Sequence, residues 1–244
     1  MKTALKRLFR RLGFATVTSN HTGVRYLDHP PATAFDSALL RTFSSLQGLT
    51  FVQVGANDGH RFDPINTYVT TYSWRGVLVE PVPSNFRALQ KTYGDNTRLI
   101  LRQAAVDTVE GQRNIYHLRE DLPGPVPDWL WGLASFNRDH LWNAIQPLGF
   151  DAADIVCQPV PTIKWNLLWQ LLPEQQCDIL VIDTEGFDIN LLRSAGLGTH
   201  RPKLIHFEHS HVSTAERLTF YGELIELGYD LASDRGDTTA WLLK

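Results

Sequence analysis

The sequence predicts a doubly wound α/β domain whose mostly parallel sheet ends in an antiparallel C-terminal hairpin. Three observations predict it. Short apolar runs alternate with helical apolar stripes from Phe51 to Leu227, the order that right-handed crossovers and a parallel sheet require. The first run, Phe51-Val52-Gln53-Val54, stops at a glycine turn, Gly55-Ala56-Asn57-Asp58-Gly59. The last two runs, Tyr229-Asp230-Leu231 and Thr239 to Leu243, are joined through Asp234-Arg235-Gly236-Asp237, the pattern of a hairpin.

The 244 residues suffice for one large domain with a full core. Hydrophobic residues at 43%, charged residues at 20% and a net charge of −3 are those of an ordinary soluble protein. That balance offers no global basic field for nucleic acid. Cys157 and Cys177 do not make a disulfide framework, so the expectation is reduced thiols and a cytoplasmic location. No apolar run reaches the ~20 residues that span a bilayer.

Residues 1–49 read as an N-terminal helical extension and 50–244 as the main domain. In residues 2–13, Leu5, Leu8, Phe9 and Leu12 make an apolar stripe beside Lys2, Lys6, Arg7, Arg10 and Arg11. Such a helix packs on the domain or makes weak contact with an anionic membrane surface; the packed helix is the favoured reading. Residues 15–34 look irregular, broken at Asp28-His29-Pro30-Pro31. Phe35 to Leu46 reads as a helix through Phe35, Leu39, Leu40 and Phe43.

After the first strand and its turn comes a helix over roughly 64–72, then a strand over 76–80. Ser84 reads as the cap of a helix through Phe86, Leu89 and Tyr93, which Gly94-Asp95-Asn96 ends. Strands follow over 98–102 and 114–118, with Gly111 as the turn between them. Residues 119–162 break the rhythm with Pro123, Pro125 and Pro127 and a cluster of Trp129, Trp131 and Trp142. A long interruption in a compact domain is typically functional, so this insert is read as facing a substrate. The rhythm resumes with a helix over 162–172, a strand over 178–183, a helix with Asp188 as its cap, a strand over 203–209 and a helix over 215–227.

The glycine turn lies where doubly wound sheets bind nucleotide-like ligands, and it is expected to present bare backbone N–H groups there. Glu80 ends the second strand, where a carboxylate accepts hydrogen bonds from ribose hydroxyls. The turn lacks the third glycine of a dinucleotide site and the lysine of a P-loop. Asp58 would repel a pyrophosphate yet suit an ammonium-bearing ligand, and S-adenosylmethionine has the matching groups.

At this point the chain resembles the FkbM-type family of S-adenosylmethionine-dependent methyltransferases. The resemblance is carried by Val52 to Gly59, Glu80-Pro81-Val82-Pro83, Gln103-Ala104-Ala105-Val106 with Gly111, Ala134-Ser135-Phe136 with His140, Asp183 to Asp188, and Ile205 to His209. It implies the seven-stranded class I methyltransferase fold, with helices on both faces, and O-methylation of a sugar, glycan, glycolipid or small natural product. By the same resemblance Gly55, Ala56, Asn57 and Gly59 would line the methionine portion of the cofactor. Glu80 would hold the ribose, and Gln103 with the backbone of Ala104 would meet the adenine edge. Gln53, Asp58 and Pro81 complete the cofactor-binding set. Ser135, His140 and Trp131 would face the acceptor.

Asp183 and Glu185 follow one strand, and Glu208, His209 and His211 end the next, so the sheet brings them to one rim. Asp183, Glu185, Glu208 and His209 are the catalytic candidates, with His209 or Asp183 as the base that takes the hydroxyl proton. A plainer reading makes the Asp183-Thr184-Glu185-Gly186 segment a capped turn, and Glu208 with His209 a supporting buried pair. A divalent ion such as Mg²⁺ is the less favoured option, since no metal-ligand spacing is present. A nicotinamide oxidoreductase is disfavoured by the missing glycine. A nucleic-acid methyltransferase is disfavoured by the acidic balance and by Asp183-Thr184-Glu185-Gly186 standing where an Asn/Asp-Pro-Pro-Tyr/Phe motif would. The non-enzyme alternative is a ligand-binding module on the same fold, acting as a partner protein.

Overall fold

A computed structural model describes residues 17–19, 23–25, 33–122, 125–234 and 236–242. The helix expected over 2–13 lies outside them. Within the segment expected to be irregular, β1 (Val17–Ser19) and β2 (Gly23–Arg25) pair antiparallel.

The main sheet has seven strands. β3 (Thr50–Val54), β4 (Arg75–Val79), β5 (Leu99–Arg102), β10 (Ile179–Ile182) and β11 (Leu204–Glu208) run parallel. The antiparallel hairpin is β12 (Tyr229–Asp234) and β13 (Asp237–Leu242), and β13 pairs with β11. The order across the sheet is β12-β13-β11-β10-β3-β4-β5. It reverses direction between β3 and β10, the kind of switch point at which such sheets bind ligands. The sheet is therefore mixed, parallel except at the hairpin edge.

Strand alternation builds two cores, one on each face. On one face Val52, Val54, Leu180, Ile182, Ile205 and Phe207 meet α5 (Trp165–Leu171), α6 (Asp188–Ser194), α7 (Leu197–His200) and α8 (Thr214–Glu226). On the other, Phe51, Leu78, Ile179, Val181 and Leu204 meet α1 (Ala34–Thr42), α2 (Asn66–Thr71) and α3 (Pro83–Tyr93). Both faces are dry, which is why the parallel strands read as continuous apolar runs.

Several boundaries differ from expectation. α1 starts with a capping box between Thr33 and Asp36 and stops at Thr42, short of Leu46. α3 opens on Pro83 with Val82 before it and no side-chain cap. A proline at the first helical position gives up no needed N–H, so Ser84 has no capping to do. Asp188 is the first helical residue of α6, not its cap.

The larger difference is a second sheet of order β6-β9-β7-β8, formed by β6 (Ala105–Val106), β7 (Gly111–Leu118), β8 (Ala134–Ser135) and β9 (Ile155–Ile163). β9 replaces the expected start of a helix at 162, because it pairs with β7 from Gly111↔Thr162 to Leu118↔Ile155. Pro159 and Pro161 disguise it in the sequence. Among the described residues β9 has its second partner, β6, only at Thr162 and Ile163, so the prolines stand beside an open edge and cost no ladder bond there. α4 (Arg138–Ile145) packs on this sheet over Leu118, Leu130, Leu133, Leu141 and Ile145. The insert thus has its own small core, and it covers the carboxyl end of the main sheet.

Candidate active site

The carboxyl ends of β3, β4, β10 and β11 and the insert enclose a cavity of about 390 Å³. Gln53, Gly55, Ala56, Asn57, Glu80, Pro81, Ala104, Ser135, Asp183 and Glu185 all line it. So do Phe62, Asp63, Trp129, Phe136, His206 and Asp237.

The glycine turn does not present bare N–H groups. Gly55 N and Ala56 N both donate to Val79 O, at 2.9 and 3.0 Å, and Asn57 N donates to Glu80 Oε2 at 2.9 Å. Gly55 is required by a close approach of backbone: a Cβ there would lie 1.7 Å from Asp183 O, and its φ is +78°. The turn is therefore no anion cradle, which agrees with the absence of any pyrophosphate motif.

Glu80 is buried, and its second oxygen accepts Val82 N at 2.8 Å. Burial raises its pKa to about 7, against the lowering effect of the two N–H bonds. Gln53 is buried at 3% exposure, and its Oε1 has no hydrogen-bond partner. Asp58 faces elsewhere: it accepts His60 N and Arg61 N and pairs with Arg61 Nε at 2.9 Å. Gly59 packs where a Cβ would meet the Tyr93 ring at 2.6 Å. Gln103 is exposed and outside the cavity wall, which Ala104, Ala105 and Val106 continue.

Asp183 is an exposed residue on the cavity wall, set among protein atoms that desolvate its carboxylate. That desolvation, then the charges of Glu185, Asp188, Glu208 and Asp237, push it well above the usual carboxylate range. Asp188 is fully buried and ties the loop down, accepting Thr184 N at 3.3 Å and Thr184 Oγ1 at 3.0 Å. Burial raises it to about 7.

His209 does not line the cavity. It is buried, with Nδ1 2.9 Å from Thr238 Oγ1. Burial, with Arg217 nearby, lowers its pKa. The histidine on the cavity wall is His206, whose ring meets Phe35 at 5.2 Å and whose Nδ1 lies 2.9 Å from Thr239 Oγ1. Burial lowers it to about 4. Strand period explains the difference, since side chains two apart share a face.

Ser135 is buried, donating to Glu185 O at 3.2 Å and accepting Asn137 N. Trp131 lies off the cavity, and Trp129, two residues earlier on the 3-10 turn Asp128–Trp131, takes the wall position. His140 is drawn to Glu185 instead of the cavity, with Nε2 3.7 Å from Glu185 Oε2. His211 completes a cluster with Glu185 at 3.2 Å and Glu208 at 3.3 Å. Burial favours a neutral Glu185, but His140 and His211 outweigh it and hold the group below its usual value. Glu185, then Glu208, raise His211 to about 10.

A family model described as the methyltransferase FkbM domain matches residues 53–233. The chain belongs to this family. The FkbM match begins at Gln53 and takes in the glycine turn, Glu80, the insert and the strand-end acids. No curated protein matches the chain. Among solved structures, a methyltransferase FkbM from Methylobacillus flagellatus has 11% identity and a TM-score of 0.49, over 80% of this chain. The chain spans 43% of the length of that protein. Precorrin-6y C5,15-methyltransferase from Geobacter metallireducens has 11% identity and a TM-score of 0.43, over 94% of each chain. A methyltransferase from Geobacter sulfurreducens has 13% identity and a TM-score of 0.42, over 100% of this chain and 88% of that one. Among the described residues of this FkbM domain no helix is long and apolar enough to cross a membrane.

Proposed function

We propose that this FkbM domain is an S-adenosylmethionine-dependent O-methyltransferase acting on a hydroxyl of a sugar, glycan, glycolipid or small natural product. The observation that carries the reading is Glu80: a buried carboxylate, fixed by two backbone N–H groups, on the wall of a ligand-sized cavity. Its remaining lone pairs suit two ribose hydroxyls. The orphaned Gln53 Oε1 suits an ammonium or another donor. The apolar wall of Ala104, Ala105 and Val106 suits a flat base, which would be held there without the Gln103 side chain.

When bound, S-adenosylmethionine supplies a sulfonium methyl: the acceptor oxygen forms the new C–O bond as the C–S bond breaks and its electron pair returns to sulfur. Asp183 is the residue we assign to take the hydroxyl proton. It faces the cavity, and its raised pKa makes its carboxylate a stronger base than a solvated one. His209 would act from behind as support for the β11–β13 pairing. Trp129 and Phe62, 47% and 76% exposed on the cavity wall, offer flat faces to an acceptor ring. The two unpaired cysteines, Cys157 and Cys177, support a reducing compartment.

The test is calorimetric titration of S-adenosylmethionine and S-adenosylhomocysteine into the protein and into a Glu80→Gln variant. The reading expects binding by the first and at least tenfold weaker binding by the second. Sugars and glycosides are then screened for methylated product. A folded chain that ignores both ligands at millimolar concentration would leave the binding-module reading in its place.

A further inference from the structure

Three segments meet beside Asp183. α4 of the insert brings His140, the loop after β10 brings Glu185, and the loop after β11 brings His211, with Glu208 ending β11. One donor atom from each of His140, Glu185 and His211 lies within 4.8 Å of the others. Glu185 Oε2 is 3.2 Å from His211 Nε2 and 3.7 Å from His140 Nε2, and Glu208 Oε1 is 3.3 Å from His211 Nε2. A tetrahedral ion with bonds of about 2.0–2.1 Å has donor atoms roughly 3.3–3.4 Å apart. The observed spacings surround that figure.

Two further observations point to a ligand. His140 Nε2 and Glu208 Oε2 are buried atoms without a hydrogen-bond partner, so the cluster holds lone pairs that its own bonds leave unused. Glu185 is held at φ +53°, a conformation that a non-glycine residue seldom adopts. The Glu185 carbonyl is pinned by Ser135, and a Cβ on Gly186 would lie 3.3 Å from His211 Cβ. The loop spends backbone strain to aim this carboxylate between two imidazoles, as functional sites do.

We infer that His140, Glu185 and His211, with Glu208 as fourth ligand, form a binding site for one divalent transition-metal ion of the Zn²⁺, Co²⁺ or Mn²⁺ type. Imidazole with carboxylate suits such ions better than Mg²⁺, which takes oxygen ligands. His140, Glu185 and Glu208 are half-buried and His211 is exposed, which leaves an entry path. Glu185 also lines the cavity, so an ion here stands at the acceptor end of the candidate active site. Its role rests on the methyltransferase reading: it would polarise the acceptor hydroxyl as a Lewis acid while Asp183 takes the proton. Its binding does not rest on that reading.

The experiment uses chelator-treated, dialysed full-length protein titrated with Zn²⁺ by calorimetry and with Co²⁺ by visible absorption. It is repeated on His140→Ala and His211→Ala, with thermal unfolding to show that each variant folds. S-adenosylhomocysteine is titrated into every sample. The expected result is one ion per chain, a Co²⁺ ligand-field band, and at least tenfold weaker metal binding in both variants with their folding transitions kept. Absence of saturable Zn²⁺ and Co²⁺ binding in the unaltered chain, or binding that both folded variants retain, would overturn the site. Ion binding that depends on the two histidines without any binding of S-adenosylhomocysteine would uphold the site and remove the methyltransferase reading.

Discussion

The Glu80 carboxylate accepts the backbone N–H of Asn57 at 2.9 Å. This bond joins the tip of β4 to the turn that ends β3, so the residue offered to a ribose also shapes the wall around it. Glu80→Ala is therefore expected to do two things. It should abolish measurable binding of S-adenosylhomocysteine, and it should lower unfolding free energy by on the order of 3 kcal/mol, because two buried N–H groups lose their acceptor. Calorimetry and urea unfolding read the two effects separately.

Gly55→Ala tests the reason for the glycine. The added Cβ meets the Asp183 carbonyl, a backbone atom that cannot swing away. The ends of β3 and β10 would have to separate, at a cost of about 3 kcal/mol or more. Urea unfolding should show that loss with no ligand present. A variant as stable as the parent, and defective only in ligand binding, would return the glycine to the ligand-contact role.

Asp183→Asn and His209→Ala separate the two candidate bases. Asp183→Asn should lower kcat by about 10²–10⁴ while S-adenosylhomocysteine affinity stays within a few fold. His209→Ala should leave kcat within a few fold and lower stability by about 1 kcal/mol, since Thr238 loses one of its three hydrogen-bond partners and keeps Tyr221 and Ser233. The reverse pattern would make His209 the base.

The unliganded chain should lose stability as pH rises from about 6.5 to about 8.5. Glu80 and Asp188 are raised from ordinary carboxylate values to about 7, so the folded state holds protons that the unfolded chain has released. That contribution disappears as pH climbs through 7. His211, raised from 6.5 to about 10, acts with the same sign across the window. The buried neutral His206 and His209 oppose it only below their ordinary value of 6.5. A fall in Tm on the order of 5 °C across this range is the expected result in thermal scans.

Much of this arrangement is legible without coordinates. Valine and isoleucine runs that are apolar at every position announce strands buried on both faces, and their alternation with helical stripes announces parallel order. The turn Asp234 to Asp237 announces the hairpin. β9 lies mostly within the stretch 119–162, read as an insert that breaks the strand–helix rhythm, and it carries Pro159 and Pro161; only its pairing with β7 shows it to be a strand.

By itself the sequence determined the seven strands of the main sheet, and that Gly55, Glu80 and Asp183 stand at strand ends on one edge of it. These follow from local periodicity, which two or three neighbouring residues are enough to express. The tertiary structure alone decided that Gly55 answers to the Asp183 carbonyl, that His206 and not His209 faces the cavity, and that Trp129 takes the place expected of Trp131. It alone brought His140, from the insert, to the Glu185 and His211 that strand order already sets on one rim. Such meetings depend on how the insert packs over the sheet and on the direction each side chain leaves its backbone, and no spacing along one chain encodes either.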